Sequence, residues 1–316
     1  MSQKELTAVL HQRNFNALSE ILHPQERAFW LSSMGKGASN WMRSGLSSFA
    51  ALHLADPTFR RLIALRLFAE PASLANQYSD INNNNYNNST SIDAIPVNSH
   101  SNTNTNANSN SFFQCSLCSE TVPCRSLHGL LCSRNQDART RRHSHLKLIL
   151  IEFLSKVFGH EKVHSEVELR IPNSNSMIKA DVVVDTGVSS LIFDVTIPCC
   201  AASQYMNAGS IRDPKVTLQM AEHEKVVKYT PFLEARNISV DAFFPIVMET
   251  SGRIGERVMA LSQYIGKLDR PTIRVDTYHS AFNFFLARAR TTLARSNGNM
   301  LRFSDQCRIA LSSREQ

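Results

Sequence analysis

Long apolar runs are missing from this chain of 316 residues. None approaches the roughly 20 residues that span a bilayer, so no membrane partner is expected. The opening, MSQKELTAVLHQRNFN, lacks the apolar centre of a secretory leader. These absences lead to the expectation of an intracellular protein, nuclear or cytoplasmic, in a compartment that keeps thiols reduced. Seven cysteines in that setting point to metal or to no special role, rather than to disulfides. Glycine patterns for nucleotides are missing too. ETSGRIGERVMALSQYIGKL carries Gly252 and Gly255 but neither G-x-G-x-x-G nor a Walker sequence, so no nucleotide site is expected. Acidic residues are in deficit: 34 Lys and Arg face 27 Asp and Glu, a net charge of +7. That excess suits a polyanionic partner or serves solubility, and it says nothing about fold.

What is present divides the chain. Residues 1–75 have helical spacing in LTAVLHQRNFNALSEIL and again in FRRLIALRLFAE, with Trp41 as an anchor in the loop between. Residues 76–111 are an Asn/Ser-rich tract that buries too little to offset chain entropy, and they read as a disordered linker. A cysteine-rich knuckle follows over 112–138, then a larger unit over 139–300 and a tail over 301–316. The larger unit opens on a helix near 141–158. Strands are expected in SEVELRI, KADVVVD, SSLIFDVTIP and AFFPIVMET. Helices near 213–236, 253–268 and 276–296 complete it. Strands flanked by helices give an α/β class.

Residues 115–132 read CSLCSETVPCRSLHGLLC. Cys115 and Cys118 make a C-x2-C pair, and His128 with Cys132 an H-x3-C pair. Four such ligands fill a closed tetrahedral zinc site, which is structural rather than catalytic. Cys124 is a fifth candidate able to replace any of them. A loop this short needs the metal to fold. Next comes RTRRHSHLK, where Arg139, Arg141, Arg142, His143 and Lys147 form a dense positive patch at a helix start. It reads as a solvated face or as a contact for nucleic-acid phosphates.

Two apolar strands each carry one aspartate, Asp181 and Asp194, with twelve residues between them. An unpaired buried charge is expensive, and two adjacent carboxylates repel. A divalent cation resolves both problems, and Mg²⁺ suits oxygen ligands and a phosphate substrate. Lys225 and Lys228 in HEKVVKY share one helix face and could supply the cation that such chemistry needs.

In this order, the Cys/His knuckle, the R-x-x-R-H stretch, Lys179-Ala180-Asp181, Asp194 and Lys225-x-x-Lys228-Tyr229 resemble a known pattern. It is that of PD-(D/E)xK nucleases, and more closely of the restriction-enzyme-like endonuclease at the C-terminus of non-LTR retrotransposon proteins. The resemblance covers about residues 112–296 and implies a restriction-endonuclease-like core, a mixed four-stranded sheet flanked by helices. It implies Mg²⁺ on Asp181 and Asp194, a displaced catalytic lysine at Lys228 with Lys225 beside it, and DNA, or RNA, as partner. Lys179 joins the nucleic-acid contacts. Glu152 matches an acid that related resolvase-like nucleases carry on their first helix. Ala180 stands where the pattern has Pro, and Thr196 where the simple motif has Lys. No Y/F-x-D-D polymerase strand is present, so the chain resembles only the C-terminal part of such a protein. Two alternatives go with this expectation: an inactive nuclease fold that binds DNA or RNA, and a Holliday-junction-type resolvase. Arg288, Arg290, Arg295 and Arg302 suggest a helix with a wet basic side that tracks a DNA backbone.

Overall fold

The computed structural model describes residues 12–13, 16–18, 20–35, 38, 42, 54–66, 113–115, 117–122, 125–172, 175–187, 189–267 and 275–312. The Asn/Ser-rich tract 76–111, Trp41 and Cys124 lie outside these residues, as does the Arg302 side chain.

Helix α1 spans Pro24–Met34. It starts there because His23 and Glu26 cap each other's backbone in a capping box and Pro24 sits where a missing N–H is harmless. Helix α2 spans Asp56–Arg66. Strands β1 (Phe113–Gln114) and β2 (Thr121–Val122) form a small antiparallel hairpin, and α3 (Arg125–Leu131) follows. Helix α4 (Gln136–Phe158) ends at Gly159, whose φ of 96° no other residue adopts readily. Then come β3 (Val163–Arg170), β4 (Met177–Asp185) and β5 (Ser190–Thr196). Helices α5 (Ser203–Asn207) and α6 (Val216–Ala235) lead to β6 (Phe243–Val247). Helices α7 (Glu256–Lys267) and α8 (Val275–Ser312) complete the order.

The main sheet has the order β3-β4-β5-β6, antiparallel except for β5 and β6, which run parallel. A parallel neighbour needs a crossover, and α6 supplies it. Pro245 fits β6 because an edge strand can spare one N–H. Val182, Val184, Leu191, Phe193, Val195, Phe244 and Ile246 pack on one face against α4, α7 and α8. On the other face, Ile178, Ala180, Val183, Ile192 and Phe243 pack against Tyr229, Phe232 and Leu233 of α6. The α/β class and the mixed four-stranded sheet flanked by helices therefore stand as expected.

Three features differ from the sequence reading. Helix α8 runs through the boundary expected at residue 300 and on to Ser312. The N-terminal segment is not a separate unit where it is described. Phe29 and Leu65 share a core with Leu127, Leu130, Cys200, Met300 and Leu301, and Leu62 packs on Ala294. A buried polar network reinforces that junction. Ser32 and Ser251 hydroxyls both donate to Glu249 Oε2, the latter at 3.0 Å. Arg142 Nη1 donates to Asn297 Oδ1 at 2.7 Å, and Asn297 Nδ2 to the Thr250 carbonyl at 2.8 Å. Third, Arg290 is buried and donates to the Gly252 carbonyl, and Arg288 pairs with Glu152. Arg290 is thus part of the packed interior, whereas Arg288 is held in an exposed ion pair.

Burial pushes the Glu249 carboxyl up, and the Ser32 hydroxyl, Arg253 and the Ser251 hydroxyl only partly oppose it. A folded value above the unfolded one means that folding binds a proton between the two, so stability falls as pH rises through that window. We expect Glu249→Gln to remove this fall and Glu249→Ala, which leaves the Ser32 and Ser251 hydroxyls only each other and one buried donor unused, to cost about 1–3 kcal/mol. Urea unfolding across a pH series checks both.

Candidate metal centre and acid–lysine site

The hairpin β1–β2 carries Cys115 and Cys118, and α3 with its end carries His128 and Cys132. The ligand atoms of these four residues all lie within 4.8 Å of one another. Cys118 Sγ is 3.2 Å from His128 Nε2, and Cys115 Sγ is 3.9 Å from Cys132 Sγ. Three of the four are buried. Borderline and soft donors converging this way fit a tetrahedral ion such as zinc, and no other group of three or more His, Cys, Asp or Glu is this close among the described residues. Burial lowers His128 and so favours the neutral, ligating form, although Glu120 opposes this. The Leu117 N–H points at Cys115 Sγ at 3.4 Å and favours a thiolate. Glu120, which carries no sequence signal, has Oε2 3.9 Å from His128 Nδ1. At that distance the carboxylate acts on the ring by charge rather than by a hydrogen bond, on the side away from Nε2 and Cys118.

The second site lies where the β4–β5 ladder ends. Pairing runs from Asp185↔Ser190 to Val182↔Phe193 and stops. There the Asp181 side chain replaces a backbone partner: its Oδ2 accepts the Val195 N–H at 2.7 Å. The covalent distance from that nitrogen to Asp194 Cα is about 2.4 Å, which keeps the Asp181 carboxylate within about 5 Å of it. The His143 ring from α4 also meets Asp181 Oδ2, at 3.1 Å, and the Val195 carbonyl, at 3.0 Å. Desolvation alone would raise Asp181, but His143, the Val195 N–H and Lys147 outweigh it and hold the carboxyl below its usual range. Its bond to Asp181 raises His143 in turn, against burial.

Asp194 has the strand parity of Ile192 and so faces α6. It is buried, and Lys225 Nζ reaches Oδ1 at 2.7 Å while Lys228 Nζ reaches Oδ2 at 3.4 Å. Lys225 and Lys228 follow Asp194 by 31 and 34 residues, and α6 brings both back to it. Tyr229, fully buried, stacks on Phe243 at 4.3 Å and donates to the Lys179 carbonyl at 3.0 Å, which fixes the rotation of α6. Burial, reinforced by Asp194 and more weakly by Asp181, pushes its hydroxyl well up. The two carboxylates are held from different layers, Asp181 by α4 and Asp194 by α6.

The remaining candidates separate. Arg139, His143 and Lys147 recur every fourth residue on one face of α4. Lys147 and Lys179 both pair with Glu166, a residue that the sequence does not single out. Arg141 is exposed and lines an open cleft with Arg134 and His145, beside the end of the knuckle. Two assignments are corrected. Arg142 is buried against Asn297, facing α8 rather than solvent, so it is not part of the exposed basic patch. Glu152 is exposed, paired with Arg288, and nine residues beyond His143, about 13 Å along the helix, so it is outside the acid–lysine site.

No protein-family model, curated protein or solved structure matches this chain.

Purified protein is expected to carry zinc at one equivalent per chain by elemental analysis. Cys132→Ser should lose it. Glu120→Gln should keep the fold but weaken zinc affinity about tenfold or more in a chelator competition.

Proposed function

We propose that this chain is a Mg²⁺-dependent DNA endonuclease of the restriction-enzyme-like type, derived from a retroelement, with a zinc-held knuckle beside the nuclease core. One observation carries the reading. Lys225 and Lys228, 31 and 34 residues after Asp194, return to its carboxylate, while Asp181 lies against the adjoining peptide of β5. A buried acid, a second acid on the neighbouring strand and two amines from one helix are the parts that phosphodiester hydrolysis needs. The mixed sheet between helices is the architecture that the sequence resemblance implies.

By element the donors suit the cation, but α4 holds Asp181 and α6 holds Asp194, so one ion on both requires each carboxylate to give up a present partner. Asp181 and Asp194 offer only oxygens, which suits Mg²⁺ rather than zinc. When bound by these two residues, the ion supplies an activated water and neutralises charge on the phosphoryl group. The rest falls to the chain itself. His143 and the Val195 N–H fix the Asp181 rotamer. Lys225, the less exposed amine with the shorter contact, balances Asp194. Lys228, 46% exposed, is the amine free to turn toward a phosphate and to hold charge that builds on it. Arg139 and Arg141 steer the backbone without reading sequence.

A second reading has its own observation. Each Asp194 oxygen already holds an amine, and Asp181 Oδ2 already takes two partners. These acids are satisfied without a cation, as they would be in a nucleic-acid-binding module with a silent nuclease fold.

Plasmid nicking in Mg²⁺ separates the two. Wild-type protein should nick, Asp181→Asn and Asp194→Asn should not, and Lys228→Ala should lose about 100-fold or more. Glu152→Gln should nick as wild type. Cleavage that survives in Asp181→Asn refutes the assignment, whereas binding without cleavage in wild type establishes the second reading.

A further inference from the structure

Glu166 lies inside β3 with φ 58°, a left-handed backbone that residues bearing a Cβ avoid. Such outliers concentrate at functional sites. The β3–β4 ladder is regular around it, with Ser165 opposite Val182 and Val167 opposite Ala180, but it omits the step at which Glu166 would meet Asp181. The irregularity therefore sits across from the acid that caps the β4–β5 break. Its effect is visible in the contacts. Glu166 Oε1 takes the Lys147 amine from α4, and Oε2 takes the Lys179 amine from β4.

Two ammonium groups on the two oxygens of one anion are arranged as they would be around a backbone phosphate. Lys147 continues the Arg139–His143 face of α4, and its charge reaches both His143 and Asp181. Lys179 stands two residues before Asp181. Glu166 is 42% exposed and Lys179 59%, so solvent screens that pair and leaves it open to exchange with an incoming anion, while Lys147, 13% exposed, meets an anion only where the Glu166 carboxylate now sits. A duplex has the advantage in that exchange, because each phosphate neutralised releases a condensed counterion and a single carboxylate releases none.

We propose that Glu166 is a built-in competitor for DNA. Its carboxylate occupies the position of a backbone phosphate and holds Lys147 and Lys179 until a duplex displaces it. This rests on the nucleic-acid reading above and adds a control to it: the strained strand residue sets the threshold at which DNA engages the site. Of the described residues around the site, four lysines face three carboxylates, Lys147, Lys179, Lys225 and Lys228 against Glu166, Asp181 and Asp194. Loss of Glu166 frees two of those lysines.

The test is fluorescence anisotropy with a labelled DNA duplex, without divalent cation, across a salt series. Glu166→Gln and Glu166→Gly should each bind about three- to tenfold tighter than wild type. The glycine variant also removes the backbone strain, so its unfolding midpoint should not drop, and a folding defect cannot imitate the result. The salt slope should stay at the wild-type value, because the same phosphates are contacted once Glu166 has left. Lys147→Ala/Lys179→Ala should bind more weakly, and adding Glu166→Gln to it should change nothing further. Unchanged affinity in both Glu166 variants overturns the proposal. So does equal tightening without the two lysines, which would mark a bulk charge effect. DNA binding that ignores Lys147 and Lys179 overturns the proposal and leaves the nuclease reading standing. Failure of every protein to bind DNA both without cation and with Ca²⁺ in place of Mg²⁺ removes both.

Discussion

A carboxylate buried in a β-sheet cannot stay charged without a partner, and Asp194 is such a carboxylate. Strand β5 places it by parity on the α6 side, among Ile192, Tyr229 and Phe243. Removing one partner of a buried pair costs several kcal/mol, so Lys225 and Lys228 constrain where α6 can lie. Tyr229 is the anchor that makes the constraint satisfiable, since its stacking and its bond to the Lys179 carbonyl set the rotation of the helix. The parallel β5–β6 pair follows from the same helix, which must cross the sheet to connect them. One ion-paired acid thus ties the topology to the candidate chemistry.

The sheet departs from regularity at the positions that matter for that chemistry. Ile178 and Ala180 pack toward α6, whereas Val182 and Val184 pack toward α4, so β4 changes face across Asp181. A strand of period two does this only where its ladder is broken. Asp181 compensates by accepting the Val195 N–H, and Glu166 on the other side adopts a positive φ. At the break His143 of α4 meets Asp181, with the Lys147 charge nearby, and Glu166 across the ladder pairs Lys147 with Lys179. A continuous ladder would have left Asp181 as an ordinary strand residue.

Away from the sheet, stability and positioning have different sources. The knuckle buries little and relies on Cys115, Cys118, His128 and Cys132 converging on an ion. The N-terminal helices rely on a mixed junction, apolar at Phe29 and Leu65 and polar at Ser32 and Glu249. Helix α4 serves both regions. Its first turns follow the knuckle, one face carries Arg139, His143 and Lys147 toward the sheet, and Arg142 is turned inward to Asn297.

The sequence by itself determined the α/β class, the four strands of the main sheet, where its long helices begin and the four converging Cys/His ligands, but not the short helix at Ser203–Asn207 or the run of α8 to Ser312. What it determined follows from periodicity and from local spacing, because neighbours in sequence remain neighbours in a hairpin or a short helix. It also marked Asp194 as a metal ligand and Lys225 and Lys228 as the amines near it, but that the lysines pair with the acid directly came from the structure. Only the tertiary structure decided which basic residues face the site. Spacing along α4 cannot say that Arg142 meets Asn297, 155 residues away, or that Glu152 meets Arg288, 136 residues away. Nor could spacing reveal Glu120 and Glu166, whose roles come from contacts across a knuckle and across a ladder. Long-range pairing is set by which faces the packed layers present to one another, and that is fixed only when the whole core closes.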